Sequence, residues 1–138
     1  MDDKLQKTLL QLESGRRQLE QFSRQAQMIE AAIAELAATV EALNTLKDQK
    51  PGVEVMMPVG AGSYVRGALK DTGNVLVGIG ADMSVERKIP GAVQVLEDRK
   101  KKLMESLGGI NKTIGEMSLR LGELNQQAER MLAQTRQS

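Results

Sequence analysis

Apolar residues recur every three to four positions through the first 47 residues of the chain. With Leu5 at heptad position a, ten of the thirteen a and d positions in this segment are apolar. A repeat that persists over six heptads is typical of a coiled coil rather than of a short amphipathic helix, and Lys50-Pro51-Gly52 ends it. The a positions are Leu5, Leu12, Leu19, Ala26, Ile33, Val40 and Lys47, and the d positions are Thr8, Gly15, Phe22, Ile29, Leu36 and Leu43.

The same pattern returns after Pro90-Gly91, where eleven of thirteen a and d positions are apolar. Each segment has about 45 residues, or roughly 65–70 Å of helix, so the second can fold back along the first as an antiparallel hairpin. One register pairs a with d when the two residue numbers sum to 136, as in Leu12 with Leu124 and Gly15 with Leu121. A register shifted by a whole heptad would keep the same pattern. The a positions are Val93, Lys100, Leu107, Ile114, Leu121, Ala128 and Thr135, and the d positions are Leu96, Leu103, Ile110, Met117, Leu124 and Met131.

Residues 51–91 lie between the heptad segments and hold all three prolines and eight of the thirteen glycines. Strand-like runs at 53–59, 63–69, 75–79 and 83–88 alternate with turn sequences, which predicts two β-hairpins. The fold class is therefore α+β: a long two-helix coiled coil joined by two hairpins. We expect one domain over residues 1–138, divided into a helix at 1–50, hairpins at 51–90 and a helix at 91–138.

Two hairpins in about 38 residues have little of their own chain to cover them, and unpaired apolar edges recruit other strands. The sequence therefore predicts that the hairpins join partner subunits in an oligomeric hub. The alternative is a sheet core within one chain. The expected assembly residues are Tyr64, Val65, Val75, Leu76, Val77, Ile79 and Val85.

Composition removes several function classes. The chain has no Cys and no His, so it lacks the ligands of most zinc sites and the common nucleophile and proton-transfer residues. We expect neither an enzyme nor a cofactor or metal site. A net charge of +1 does not indicate binding to nucleic acid or to an anionic membrane. With no apolar run near a membrane span or signal peptide, the expected location is cytoplasmic.

The central segment contains four distinctive stretches, 58–67 (PVGAGSYVRG), Lys70-Asp71, 74–80 (NVLVGIG) and 85–88 (VERK). These stretches, in the order helix, two hairpins, helix, resemble archaeal prefoldin α subunits. In that family α-class subunits carry two hairpins and β-class subunits one. The resemblance implies a hexamer of two α and four β subunits joined through β-barrels, with six coiled-coil arms. Such complexes hold unfolded proteins between the arm tips without ATP and deliver them to a group II chaperonin.

Client binding would then use apolar residues at the free ends of the helices. A mixed Leu and Met surface can repack against many non-native chains. The alternative is that these residues only add to the packing between the helices at the a and d positions, which we call the seam. The protein would then be a static scaffold or adaptor that binds one folded partner. The expected client-binding residues are Leu5, Leu9, Leu10, Leu12, Ala128, Met131 and Leu132.

Three glycines, Gly108, Gly115 and Gly122, recur at one outer heptad position of the second helix. Each weakens a helix interior by roughly 1 kcal/mol relative to alanine. One interpretation is that they let the arm bend around clients. The other is that they are neutral sequence changes, tolerated because the a and d contacts stabilise the helix.

Overall fold

The structure is a computed structural model that describes residues 3–137. Along the sequence, four short strands lie between two long helices. The elements are α1 (Asp3–Lys47), β1 (Glu54–Gly60), β2 (Ser63–Ala68), β3 (Asn74–Gly80), β4 (Met83–Lys88) and α2 (Ile89–Gln137). The predicted order of helix, two hairpins and helix is confirmed.

The heptad pattern matches the burial of the helices. Every a and d position from Leu5 to Leu43 and from Val93 to Met131 is buried or half-buried, whereas the seam ends at Lys47 and Thr135 are exposed. The predicted register is confirmed at the layer that pairs Gly15 with Leu121, because a Cβ built on Gly15 would overlap the Leu121 side chain. A small residue thus faces a large one, which keeps the layer volume even.

The second helix begins at Ile89, two residues before the predicted boundary. The Ile89 amide donates a hydrogen bond to the carbonyl of Gly73 at 3.0 Å, and the Ile89 side chain is almost fully buried. Pro90 occupies the first helical turn, where the missing N–H costs nothing because that turn has no carbonyl acceptor for it. Pro90-Gly91 therefore starts the helix instead of preceding it.

The strands form two separate two-stranded antiparallel sheets, β1 with β2 and β3 with β4. Each hairpin turns through two residues with positive φ, Ala61-Gly62 in the first and Ala81-Asp82 in the second. Two consecutive positive φ angles are typical of the type I′ turn, whose twist matches that of the strands. The register of each pair shifts just before its turn, at Pro58/Gly60 and at Gly78/Gly80.

The described residues divide into two compact units. The terminal unit comprises residues 3–33 and 103–137, where the first part of α1 packs against the last part of α2. The hairpin unit comprises residues 34–102 and holds both hairpins. Its buried residues are Val40, Thr72, Val77, Ile89, Ala92 and Leu96.

The second hairpin is fastened to the start of α2. The Arg99 guanidinium Nη2 donates a hydrogen bond to the carbonyl of Gly78 in β3 at 2.6 Å. Lys100, a charged residue at a seam position, is half-buried and pairs with Glu97 at 3.5 Å.

No helix among residues 3–137 is long and apolar enough to cross a membrane.

Replacing Gly108, Gly115 and Gly122 together by alanine should raise the stability of the chain. All three are exposed, and a Cβ built on each meets no atom within 4 Å. Since alanine restricts the unfolded chain and favours helix, we expect a gain of about 2–3 kcal/mol in the free energy of unfolding. Thermal unfolding followed by circular dichroism measures it. Gly15→Ala is the contrasting variant, and its gain should be smaller than that of an exposed glycine, because the added methyl makes the Leu121 side chain move. An unchanged midpoint in the triple variant would contradict the expectation.

Candidate functional site

Large apolar side chains are exposed on both hairpins. They belong to all four strands, although a soluble domain normally covers the apolar face of a sheet. The exposed residues are Met56, Met57, Val59, Tyr64, Val65, Leu76, Ile79 and Met83.

The first hairpin exposes apolar residues on both faces. Strand pairing places Met57 opposite Val65 on one face and Pro58 opposite Tyr64 on the other, since successive side chains alternate. The second of these faces also carries the ion pair between Glu54 and Arg66, whose Oε1 and Nε lie 3.5 Å apart. Within residues 3–137 nothing covers either apolar set, which makes this hairpin a surface suited to another chain.

The second hairpin has one covered face and one open face. Val77 pairs with Val85 on the covered face, where Val77 is only 7% exposed and Val75 and Val85 are half-buried. Leu76 lies on the opposite face and is 75% exposed. The hydrogen bond from Arg99 to Gly78 shows that the start of α2 adjoins this strand.

The seven predicted assembly residues therefore fall into two groups. Tyr64, Val65, Leu76 and Ile79 are exposed and available to another chain. Val75, Val77 and Val85 lie on the covered face of the second hairpin, where Val77 is buried and the other two are half-buried. The reason is the alternation of β3, which turns Val77 inward when Leu76 faces outward.

Sequence reasoning missed four further exposed residues of the hairpins: Met56, Met57, Val59 and Met83. The signal that could have found the first three is the nearly continuous apolar run at 53–59, which cannot be hidden by a two-stranded sheet. The outer backbone edges are also open, because each strand has a single paired neighbour among the described residues. Such edges are templates for strand addition.

Asp71 organises the turn between the two hairpins. Its Oδ1 accepts hydrogen bonds from the amides of Gly73 at 2.8 Å and Asn74 at 3.1 Å, and its Oδ2 accepts one from the Asn74 side chain at 3.1 Å. These bonds, led by that from the Gly73 amide, lower the pKa of the Asp71 carboxyl below its ordinary value of 3.8. The ionised carboxylate thus sets where β3 begins.

Replacing Asp71 by alanine should lower the thermal midpoint at neutral pH. A carboxyl whose pKa is lowered by folding contributes stability above its unfolded pKa and loses it as the pH falls through the folded value. We therefore expect the difference in thermal midpoint between wild type and Asp71→Ala to be largest above pH 3.8 and to become smaller below it. Thermal unfolding at a series of pH values measures the difference. A difference that stays constant as the pH is lowered below 3.8 would exclude ionisation as its source.

The terminal unit holds a small core of its own. Leu5, Leu12 and Ala128 are buried there, with Leu5 only 1% exposed, and Leu121, Leu124 and Met131 pack against them. Thr8 is buried in the same seam and its hydroxyl donates to the Lys4 carbonyl at 2.9 Å. Three predicted client-binding residues, Leu5, Leu12 and Ala128, therefore lie between the helices and not on an open surface, and Met131 is half-buried.

The other three predicted residues lie outside the seam. Leu10 is 65% exposed, and Leu9 and Leu132 are each exposed by more than a third. Leu9 and Leu10 line one shallow depression on α1 together with Gln6 and Glu13. Leu132 is on the last turns of α2 and does not line this depression. We call Leu9, Leu10 and Leu132 the terminal patch.

Comparisons with known proteins agree with this architecture. A family model described as "Prefoldin subunit" matches residues 3–134. The prefoldin subunit alpha of the archaeon Methanobrevibacter smithii is 36% identical over 112 residues, which are 81% of this chain and 76% of that protein.

Two solved structures are similar as well. A chain of the filamentous PFD from Methanocaldococcus jannaschii superposes with a TM-score of 0.71 at 25% identity, covering 83% of this chain and 95% of that one. The prefoldin beta subunit from Thermococcus strain KS-1 gives a TM-score of 0.63 at 21% identity, covering 95% and 94%, and supports the fold alone. The match of the family model to nearly the whole sequence, together with an α-subunit relative at this identity, shows that the chain belongs to the prefoldin family.

Proposed function

We propose that this chain is a subunit of an ATP-independent chaperone that holds unfolded proteins. In this proposal the hairpins assemble the complex and the terminal patch contacts the client. The observation that carries the proposal is the exposure of Leu9, Leu10 and Leu132 outside the seam, in a chain of the prefoldin family. Leu10 is 65% exposed and Leu9 and Leu132 are 37% exposed, so part of each side chain is open to contact with a client.

The proposed assembly joins two copies of this chain to four β-class prefoldin subunits. Exposed apolar residues on both faces of the first hairpin and Leu76 on the open face of the second supply the contact area. Burial of a Leu or Tyr of this kind contributes about 1.5–3 kcal/mol, so a few such contacts give a stable complex. The open strand edges add backbone hydrogen bonds.

Capture of a client is proposed to depend on several arms at once. One terminal patch offers about 2–4 kcal/mol of apolar burial before the cost of ordering a flexible client. Linked arms raise the effective concentration of the remaining patches after the first contact, so weak contacts add to firm holding. We also propose that the held client passes to a group II chaperonin and that the complex works in the cytoplasm.

The test is aggregation of a chemically denatured protein on dilution, followed by light scattering without nucleotide. The complex of this chain with β-class subunits should suppress scattering for clients of unrelated sequence. Loss of suppression is expected when the arms lack their terminal patches. An intact complex that binds one folded protein and ignores denatured ones would overturn the proposal and favour a static scaffold.

A further inference from the structure

A groove runs along the terminal unit between the two helices. It is bounded by residues 7–18 of α1 and 117–124 of α2 and has a volume of about 480 Å³. Leu121 and Leu124 of the seam and Leu10 from the terminal patch give it apolar walls. All of its lining residues belong to the terminal unit, so its shape depends on that unit alone.

Two consecutive small residues of α1, Ser14 and Gly15, line the groove. Gly15 takes a seam position without a side chain, and Ser14 beside it is small and exposed. Leu121 from α2 fills the space over Gly15 and thereby supplies an apolar floor. A larger residue at either position would narrow the groove.

The charge of the groove has one sign. Lys7 and Arg120 line it, and no Asp or Glu does. Both cations are exposed, and neither forms an ion pair with any residue in the range 3–137. The shallow depression next to it differs, because Glu13 lines that one. An apolar floor between two unpaired cations is complementary to an apolar segment that carries carboxylates.

We propose that this groove binds client segments in which apolar side chains are flanked by Asp or Glu. The inference rests on the proposed holding function and names the class of client segment that this subunit prefers. The α1 side of the groove spans eleven residue steps, or about 16 Å, which matches about five residues of extended chain. Leu121 and Leu124 would contact the apolar residues, and Lys7 and Arg120 the flanking carboxylates.

The probe is a pair of fluorescein-labelled peptides with the same central apolar residues, one flanked by Glu and the other by Lys. Binding to the complex with β-class subunits is measured by fluorescence anisotropy. We expect the Glu-flanked peptide to bind about 3–10-fold more tightly at low salt, and the preference to shrink as salt screens the two exposed charge pairs.

Two charge-reversed variants separate the groove from general electrostatics. Lys7→Glu with Arg120→Glu changes the groove, whereas Arg24→Glu with Lys112→Glu changes exposed cations of the same unit that do not line it. Both variants alter the net charge equally. The groove variant should lose or invert the preference for the Glu-flanked peptide, and the control should keep it.

Client holding in the light-scattering assay is measured for every variant. A complex that holds denatured protein but binds both peptides equally would overturn the groove proposal and leave the holding function intact. Equal loss of preference in both charge-reversed variants would likewise overturn it, since net charge would then suffice. Failure of the wild-type complex to hold any client would instead refute the function on which the inference rests.

Discussion

Replacing Leu9, Leu10 and Leu132 together by glutamine is expected to abolish client holding while the complex stays assembled. The three side chains are exposed and outside the seam, so their loss removes apolar contact without opening the helix pair. Glutamine is nearly as favourable in a helix as leucine, which preserves α1 and α2. The concentration of complex needed for half-suppression of light scattering should rise about tenfold or more, since each arm loses most of its apolar contact and the arms act together.

This substitution tests the exposed surface more specifically than removal of the helix ends does. A truncation of residues 1–12 and 127–138 would delete Leu5, Leu12, Ala128 and Met131, which form the core of the terminal unit or pack against it. Loss of activity would then follow from an unfolded helix end as readily as from a lost client surface. The glutamine variant keeps that core, so a loss of holding reports on the exposed surface.

The matched control replaces Met28, Met104 and Leu119 by glutamine. These residues are also large, apolar and exposed in the terminal unit, but they do not belong to the terminal patch. We expect the control complex to hold clients as well as wild type. Equal loss in both variants would show that any exposed apolar residue of the arms contributes, and full activity in both would remove the terminal patch from the proposed function.

Much of the fold could be predicted because its determinants are periodic. A coiled-coil seam repeats every seven residues, so the buried positions from Leu5 to Leu43 and from Val93 to Met131 are readable without coordinates. The pairing of Gly15 with Leu121 followed from matching a positions with d positions in an antiparallel pair, and the structure places these two residues together. Turn sequences rich in glycine located the two hairpins to within a residue or two.

The residues whose burial differs from the expected exposure are ones to which two rules applied. Leu5, Leu12 and Ala128 satisfied both the seam pattern and the search for apolar residues near the helix ends, and burial in the seam prevailed. Val77 matched the expected strand alternation, but the sequence does not say which face of a hairpin its own helix covers. That depends on long-range contacts, and the hydrogen bond from Arg99 to Gly78 is one that no local pattern encodes.

The groove beside Gly15 was beyond sequence reasoning for a similar reason. Its lining residues on α1 lie more than 90 positions from those on α2, and its charge depends on which polar residues face the same side. The sequence gives the identity of Lys7 and Arg120 but not their proximity to one apolar floor. A register alone does not supply the volume of the space between two helices.

Introducing glutamate at Leu76 and Tyr64 is expected to disperse the assembled complex. Leu76 is exposed on the open face of the second hairpin, and Tyr64 is exposed on the first, so both can accept a charge without harming the isolated subunit. If partner chains bury them, each unpaired carboxylate costs several kcal/mol in the interface. The association should weaken by about a thousandfold or more, and analytical ultracentrifugation should show dissociated subunits in place of the complex.

Three comparisons make the result specific to the hairpins. Met28→Glu with Leu119→Glu adds the same charge at exposed positions of the terminal unit and should leave the mass of the complex unchanged. Val77→Glu places the charge in the core of the hairpin unit, so it should lower the thermal midpoint of the subunit itself. Circular dichroism of the Leu76 and Tyr64 variant should retain the helix signal of wild type. A complex of undiminished mass carrying glutamate at both positions would contradict the assembly surface, because no partner chain could then bury these side chains.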